Sequence, residues 1–419
     1  CAFDLNEFST RLPSALIGTL AILTTYLLGA GLFGWKVGVV SAALLALSPW
    51  HLPLSRGAFE ANLTVLFASL GTWLFLKGLK QPKLLVISSV IFGINLFTYH
   101  SARVFTPLLG LSLLFIYMGE LRGLLKNSRN NLVCAFLIFA TLLTVASFSM
   151  FSGAGARGAD IAIFNPTDKW SGLADERYGA VLAGLPDFIA RIFSNKVIFT
   201  LREFTKSYVS YLSPQFLFTG GAGEWTYGMV VGHGVLYLVE IVFVIAFLSS
   251  LAKAKWSNGT KLIILWILLS IVPASLTKGP GYAANRIAVM MPALQIASAI
   301  GVSTLLVWFN KKYRWRLSLA LCILIATSTL AFLENYMYVS KKSMEKGMLA
   351  GRKELVEIAQ NSKDKNIIMS KKLSEPHIYT AFYTKWDPAG YQKESQDWMR
   401  YEKDILKFVV ELGEFYLGK

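Results

Sequence analysis

Long apolar stretches alternate with short polar loops along most of the chain. Many of these stretches approach the ~20 residues that an α-helix needs to cross a bilayer. They occupy residues 11–33, 37–54, 61–76, 84–99, 104–119, 132–150, 229–250, 262–276, 287–309 and 317–333. The pattern predicts an α-helical polytopic membrane protein with about ten spans.

Composition agrees with this prediction. Hydrophobic residues make up 54% of the chain and charged residues 16%, and the mean hydropathy is +0.50. A soluble chain of this length carries a larger share of charged residues. The three cysteines, Cys1, Cys134 and Cys322, are scattered, so they indicate neither a disulfide framework nor a metal cluster.

Much of the formal net charge of +16 lies in alternate loops between the apolar runs. The basic residues of these loops are Lys77, Lys80, Lys83, Arg122, Lys126, Arg129, Lys253, Lys255, Lys261, Lys311, Lys312, Arg314 and Arg316. By the positive-inside rule these loops face the cytoplasm, which explains the charge without a nucleic-acid partner. The extracytoplasmic face then receives residues 1–10, 51–60, 100–103, 151–228, 277–286 and everything after about residue 334.

Segment 151–228 is too rich in charge to be a span. Its stretch from Pro186 to Tyr211 is amphipathic, which favours helices that lie along the membrane surface. We therefore predict a transmembrane domain over residues 1–335 with an exofacial insertion at 151–228. The first residue is not Met and no signal-like segment precedes the first span, so we expect the chain to begin inside a longer protein.

After residue 335 the sequence becomes lysine-rich and takes on a soluble pattern. The pattern predicts a helix from Met344 to Gln360, a short strand at Ile367 to Ser370 and a helix around Ile378 to Trp386. We interpret residues 336–419 as a small exofacial α/β domain, truncated at Lys419.

The predicted outer loops hold the candidate chemistry. The segment PWHLPLSRGAFEAN places Arg56 and Glu60 four residues apart, on one face if the chain is helical there. The segment TYHSAR carries Tyr99 and Arg103 at the next outer turn. Taken singly, the first segment is more typical of an ion pair that caps a span, and the second is more typical of residues that anchor a span at the membrane interface.

The loop TKGPGYAANR carries Lys278 and Arg286 on the same outer face. Cations on this face run against the orientation rule, so an anionic head group or phosphate is their natural partner. Because polar groups lie in several outer loops and not deep in the spans, the pattern favours an outward-facing site over a transport pathway.

Several segments of the chain resemble one family. The runs are NEFSTRLPSALIG, LSPWHLPLSRGAFEANL, LFTYHSARVFTPLL, YLSPQFLFTGG, GYAANRIAVMMPAL and AFYTKWDPAGYQ. Their order and spacing resemble the lipid-carrier-dependent glycosyltransferases of the C-type superfamily. The most similar branch is the protein O-mannosyltransferase-like one, which also contains the lipid A aminoarabinose transferases.

The resemblance implies an enzyme that transfers a sugar from a polyprenyl-phosphate carrier to a protein, lipid or glycan acceptor, with inversion. The active face is extracytoplasmic, in a multi-pass protein that we expect in the plasma membrane of a prokaryote, surrounded by membrane lipids. Such chemistry needs a carboxylate for the acceptor and cations for the leaving phosphate. The main acidic residue of the family lies in a loop before the segment NEFSTRLP, so we expect it, and one more span, upstream of residue 1.

Individual positions follow from the resemblance. Glu60 matches the family's second exofacial acidic position and is the catalytic candidate. The candidates for binding the carrier phosphate are Arg56, Arg103 and Arg286, with Tyr99 and Lys278 as companions. Because protein cations can neutralise a single phosphate, we expect no metal and no other cofactor. The alternative function is a non-catalytic polytopic membrane protein, either a transporter or a degenerate relative that binds a lipid phosphate.

Overall fold

A computed structural model describes most of the chain. The described residues are 4–151, 162–163, 169–221, 229–230, 232–253, 255–277, 284–343, 345, 350–362, 367–370, 376–393, 410–412 and 415–418. Within them the fold is predominantly helical. By contacts the chain divides into two units, one comprising Ser14–Lys341 and the other Cys1–Pro13 with Lys342–Lys419. The boundary predicted at residue 335 from composition remains a prediction.

The larger unit contains most of the helices, including the apolar ones. In chain order they are α1 (Glu7–Phe33), which begins in the smaller unit, α2 (Trp35–Ala46), α3 (His51–Arg56), α4 (Ala61–Gly78), α5 (Lys83–Asn95), α6 (His100–Ile116), α7 (Met118–Asn127), α8 (Arg129–Phe151), α9 (Lys169–Leu182), α10 (Asp187–Phe193), α11 (Lys196–Ser210), α12 (Glu240–Lys253), α13 (Asn258–Ser275), α14 (Ala284–Ile287), α15 (Ala293–Trp308), α16 (Arg314–Glu334) and α17 (Ser340–Ser343). A π-helical turn covers Gln215–Thr219, another covers Asn335–Val339, and a 3-10 turn covers Ala288–Met290.

Four helices of the described chain are long and apolar enough to cross a membrane, and the number rises to six if each of two bent helix pairs is one span. The bent pairs are α6 with α7, at 79°, and Ala284–Met290 with α15, at 51°. Three more apolar helices, α2, α5 and α12, are shorter. The apolar helices are consistent with a membrane protein, whereas the predicted count of about ten spans is not confirmed.

One apolar run is only partly a helix. The sequence predicts a span over residues 229–250, but α12 begins at Glu240. The backbone N–H of Leu236 donates to the carbonyl of Leu217 at 2.8 Å, and that of Val235 donates to Phe216 at 3.4 Å. Because these donors pair with the π-helical turn, residues 235–236 do not join the helix that follows.

Three hydrophobic clusters form the core of the larger unit. The first surrounds Trp50 and Phe216, the second surrounds Phe105 and Trp266, and the third surrounds Phe243. The helices that pack most extensively are α4 with α5, α12 with α15, α5 with α8, and α6 with α13. The rings of Phe105 and Trp266, with centroids 5.6 Å apart, join α6 to α13 in the second cluster.

The amphipathic stretch predicted at Pro186 to Tyr211 forms two helices, α10 and α11. Apolar side chains of these helices remain exposed, including Phe188, Phe193 and Val197. A helix with exposed apolar groups of this kind suits a membrane interface. Asp187 joins α10 to α9, because Arg177 Nη2 contacts it at 2.6 Å, and the Arg177 guanidinium holds the pKa of the Asp187 carboxyl below its ordinary value.

The smaller unit contains helices α18 (Arg352–Asn361) and α19 (Pro376–Tyr383) and a three-stranded sheet. The strands β1 (Ile367–Ser370), β2 (Val410–Leu412) and β3 (Phe415–Gly418) lie in the order β1-β3-β2. Strand β3 is parallel to β1 and antiparallel to β2. The strand predicted at Ile367 to Ser370 is β1, and the helix predicted around Ile378 to Trp386 is α19, displaced by two to three residues.

Candidate functional site

Arg56 and Glu60 do not share a helical face, so the prediction of a helical pair is wrong. Helix α3 ends at Arg56 and α4 begins at Ala61. Between them the chain turns at Ala58, whose φ of 56° lies in the left-handed region. A positive φ interrupts the right-handed helix that would place two side chains four residues apart on one face.

Arg56 points toward the chain that follows α16. Its guanidinium lies over the ring of Tyr336, 5.4 Å from the centroid. Its Nη1 also donates to Met337 Sδ at 3.3 Å. The cation is therefore exposed and held by an aromatic face, an arrangement typical of an interfacial arginine.

Glu60 is an exposed carboxylate at the start of α4. Its backbone carbonyl accepts from the N–H of Leu63 at 3.0 Å, which begins the helix. Its side chain takes part in no ion pair among the described residues. This carboxylate can thus meet a group that approaches from solvent.

Helix α3 is anchored to α1 and α4 by buried polar groups. Ser14 Oγ donates to the carbonyl of Leu54 at 3.3 Å, and Asn62 Nδ2 donates to the carbonyl of Ser14 at 2.9 Å. His51 Nε2 lies 3.3 Å from Ser55 Oγ. Burial lowers the pKa of His51 to about 4, so its ring is neutral near pH 7. These contacts position the turn that carries Glu60.

Arg103 lies in the first turn of α6 and is partly buried. Its Nε donates to the carbonyl of Leu96 at 3.2 Å, which ties α6 to the end of α5. Its Nη1 is buried and has no hydrogen-bond partner within the described ranges. Burial of a guanidinium nitrogen costs desolvation free energy unless the nitrogen donates a hydrogen bond to an acceptor.

Arg286 lies in α14 and is partly buried. Its Nη1 donates to Thr277 Oγ1 at 2.9 Å, across the loop from the end of α13. Helix α14 contacts α4, α6 and α13. Lys278, the other predicted cation of this loop, lies outside the described residues.

The predicted outer loops meet at the cluster around Trp50 and Phe216. Phe59, next to Glu60, packs against this cluster, as does Tyr99. Ala284 and Ile287, which flank Arg286, are buried within it. The structure therefore brings the loops of Glu60, Tyr99 and Arg286 to one cluster, and α14 lies against the helix that carries Arg103. Arg56 differs, because its guanidinium contacts Tyr336 and Met337.

Three polar residues near these cations were not predicted from the sequence. Ser101 Oγ, Ser275 Oγ and Asn285 Oδ1 are buried and have no hydrogen-bond partner in the part of the chain that the structure describes. They lie at the start of α6, at the end of α13 and in α14. Their signal in the sequence was a polar side chain inside or beside an apolar run, next to an arginine in the case of Asn285.

An apolar cavity of about 470 Å³ lies between α11 and the chain after α13. It is lined by Ile163, Lys196, Val197, Thr200, Leu201, Phe204 and Leu276. None of the predicted site residues that the structure describes lines it. Its lining suits a hydrocarbon chain better than a polar head group.

Comparison with known proteins places these features in a family context. Residues 2–148 match the family of dolichyl-phosphate-mannose-protein mannosyltransferases. A 140-residue part of the chain is 24% identical to the putative mannosyltransferase YkcB of Bacillus subtilis (strain 168); the match covers 33% of this chain and 19% of YkcB. The chain therefore spans a small part of the length of that relative.

Two solved structures are similar in fold. ArnT from Cupriavidus metallidurans, bound to undecaprenyl phosphate, superposes with a TM-score of 0.51 at 12% identity, over 99% of this chain and 84% of ArnT. The oligosaccharyltransferase of Archaeoglobus fulgidus, tethered to an acceptor peptide, gives a TM-score of 0.49 at 14% identity, over 91% of this chain and 48% of that one. The resemblance is thereby confirmed: residues 2–148 match the mannosyltransferase family in sequence, and the chain is similar to ArnT in fold.

Proposed function

We propose that the protein transfers a sugar from a polyprenyl-phosphate carrier to an acceptor at the outer face of the membrane, with inversion at the anomeric carbon. The observation that carries this proposal is the buried Nη1 of Arg103, which has no hydrogen-bond partner among the described residues, on a helix that contacts the helix of Arg286. A buried guanidinium nitrogen without an acceptor costs desolvation free energy. A phosphate oxygen is the acceptor that suits a guanidinium best, because the hydrogen bond is charge-assisted.

The donor's chemistry fits this arrangement. ArnT, which has a similar fold, was solved with undecaprenyl phosphate, and the matched family takes its name from a dolichyl-phosphate sugar. In our proposal Arg103 and Arg286, with Lys278, bind the phosphate. The apolar cavity beside α11 offers a place for part of the hydrocarbon tail.

Glu60 positions the acceptor or pairs with a second carboxylate in this proposal. An acceptor hydroxyl attacks the anomeric carbon from the face opposite the phosphate, and its proton passes to a carboxylate. The bond between the anomeric carbon and the phosphate oxygen breaks, and polyprenyl phosphate leaves with the bonding electrons. The cations stabilise the charge that develops on the phosphate. Tyr99 packs against the same cluster as Phe59 and accompanies the phosphate-binding cations.

The proposed orientation follows from the loop charges. The loops rich in lysine and arginine face the cytoplasm, and the Glu60, Arg103 and Arg286 loops face outward. Ten spans, the exofacial helices α9 to α11 and an exofacial smaller unit complete the proposed topology. A prokaryotic plasma membrane is the proposed location, and the acceptor is a protein, a lipid or a glycan.

The test is a transfer assay with the full-length protein in membranes and radiolabelled polyprenyl-phosphate sugars. Arg103→Ala should weaken donor binding by about 2–5 kcal/mol, the cost of removing one partner of a buried charge pair. Arg122→Ala, in α7, is the matched control and should leave donor binding unchanged.

The outcomes separate the alternatives. Donor binding that depends on Arg103 but is never followed by transfer identifies a degenerate relative that binds a lipid phosphate. Absence of both binding and transfer in the unaltered protein overturns the proposed function.

A further inference from the structure

Among the described residues, four buried polar atoms without hydrogen-bond partners lie on α6, α13 and α14, which contact one another. They are Arg103 Nη1, Ser101 Oγ, Ser275 Oγ and Asn285 Oδ1. The exposed fractions of Ser101 and Asn285 are 4% each, and Ser275 is fully buried. Most buried polar atoms in proteins have a partner, so several such atoms in one region require an explanation.

Contacts between the three helices place these atoms in one region. Helix α14 contacts both α6 and α13, and α6 packs along α13. The hydrogen bond from Arg286 to Thr277 joins α14 to the residues directly after Ser275. Ala274 and Ala284, the neighbours of Ser275 and Asn285, are buried in the same hydrophobic cluster, against which Tyr99 packs.

The atoms differ in what they can bind. A guanidinium nitrogen can donate hydrogen bonds but not accept them, and an amide oxygen can accept hydrogen bonds but not donate them. Serine hydroxyls can do both. A phosphate diester carries acceptors but no donor, so it can satisfy Arg103 but not Asn285. A ligand that satisfies the whole set must offer hydroxyl groups beside a phosphate.

We propose that Asn285, with Ser101 and Ser275, recognises the hydroxyl groups of the donor's sugar, whereas Arg103 binds its phosphate. This inference rests on the proposed function and assigns roles to three residues beyond it. In this assignment Asn285 Oδ1 accepts a hydrogen bond from a sugar hydroxyl. The two serine hydroxyls bind the neighbouring oxygens.

The burial of these atoms adds a condition. They are shielded from solvent, so a ligand reaches them only through a local opening of the structure around them.

The experiment compares two classes of lipid. Binding to the full-length protein is measured for undecaprenyl phosphate and for undecaprenyl phosphate that bears mannose, glucose or 4-aminoarabinose. In Asn285→Leu, the affinity for the best-bound sugar lipid should fall by about tenfold or more, since a buried hydrogen bond to the ligand is lost. The affinity for undecaprenyl phosphate should stay within about twofold of that of the unaltered protein. Arg103→Ala should weaken binding of both lipids.

Two matched serine variants distinguish a loss of sugar binding from a loss of folding. Ser270 and Ser275 are both fully buried in α13, but Ser270 Oγ donates to the carbonyl of Ile267 at 2.6 Å, whereas Ser275 Oγ has no partner. Ser275→Ala should lower affinity for the sugar lipid alone, and Ser270→Ala should lower neither affinity.

The results that would overturn the inference are specific. If Asn285→Leu and Ser275→Ala leave both affinities unchanged, or lower both equally, the three residues do not recognise the sugar. The proposed function survives that result, because it requires only binding through Arg103 and subsequent transfer. If the unaltered protein binds no lipid of either class, the proposed function and this inference both fail.

Discussion

The hairpin of α1 and α2 should be sensitive to one added methyl group at Gly38. A Cβ atom built at Gly38 would lie 2.7 Å from the carbonyl oxygen of Tyr26, and 2.8 Å from both the backbone nitrogen and the Cβ of Ala30. Two of these three atoms belong to the α1 backbone, which cannot turn aside as a flexible side chain can. Small residues allow such a close approach of helices in a membrane.

The size of the effect follows from these distances. Contacts of ~3.0–3.4 Å at the new methyl group require α2 to move by roughly 0.3–0.7 Å from α1. Helix α2 also packs on α15, so the shift disturbs a second interface. Overpacking of this kind costs about 1–3 kcal/mol. Replacing glycine with alanine inside a helix raises the free energy of unfolding by up to about 1 kcal/mol, because alanine has the higher helix propensity.

Gly31 provides the matched control in the same hairpin. A Cβ atom at Gly31 would meet only Trp73 Cδ1, at 3.9 Å, which is ordinary contact. Gly31→Ala therefore gains the helix propensity without the overpacking. The free energy of unfolding of Gly38→Ala should be lower than that of Gly31→Ala by about 1–3 kcal/mol.

The assay is unfolding of the full-length protein in mild detergent by increasing SDS, followed by tryptophan fluorescence. Each variant is compared with the unaltered protein at the same detergent concentration. Equal free energies of unfolding for the two variants would show that α1 and α2 do not approach each other as described, and the close packing at Gly38 would have to be abandoned.

Three further predictions concern pH, a buried hydrogen bond and topology. Burial lowers the pKa of His51 from its ordinary value of 6.5 to about 4, so the unfolded chain binds the proton more readily than the folded one. The stability due to neutral His51 is complete above pH 6.5, is lost as the pH falls toward 4, and should amount to about 3 kcal/mol. His51→Gln should remove this pH dependence of the free energy of unfolding, and an unchanged profile would contradict the neutral buried ring. Trp266→Phe should lower the free energy of unfolding by about 1–3 kcal/mol, because Trp266 Nε1 donates to the buried Val289 carbonyl at 2.7 Å; an unaltered unfolding curve would refute this. The topology test uses a variant that lacks Cys1, Cys134 and Cys322. A cysteine introduced at exposed Gly57 should react with an impermeant thiol reagent added outside the membrane, whereas cysteines at exposed Gln81 and Asn127 should not. Reaction of all three from one side would refute the proposed orientation.

Local patterns predicted several elements correctly. The strand at Ile367 to Ser370 was predictable because four apolar and small residues lie between polar segments, and it forms β1. The helices α10 and α11 were predictable because their apolar residues recur at helical spacing. These signals depend on neighbours within one or two helical turns, which the linear sequence contains.

Hydrophobicity alone predicted too long a helix before α12. Residues 229–239 are as apolar as a span, but Val235 and Leu236 donate to the backbone of Phe216 and Leu217 instead of joining a helix. The competing partners lie about 19 residues earlier in the chain, so no local pattern could reveal them.

The residues of the candidate site also divide into those that the sequence identified and those that only the structure revealed. The sequence identified Arg103, Arg286 and Glu60, because charged residues at the ends of apolar runs are unusual on the outer face. It did not identify Ser101, Ser275 and Asn285, because a serine or asparagine near an apolar run is common and usually hydrogen-bonds to its own helix. Only the packing of three helices shows that their oxygen atoms have no partner.

By itself the sequence determined that the chain is apolar and helical and that part of it resembles lipid-carrier-dependent glycosyltransferases, because hydrophobic length and the order of motifs are properties of the linear chain. The tertiary structure decided which polar groups come together. It turned Arg56 toward Tyr336 and away from Glu60 by a single left-handed residue, Ala58. It also brought α14 against α6, although their residues lie more than 160 positions apart. Such contacts depend on the packing of whole helices, so their free energies are not encoded in any one segment.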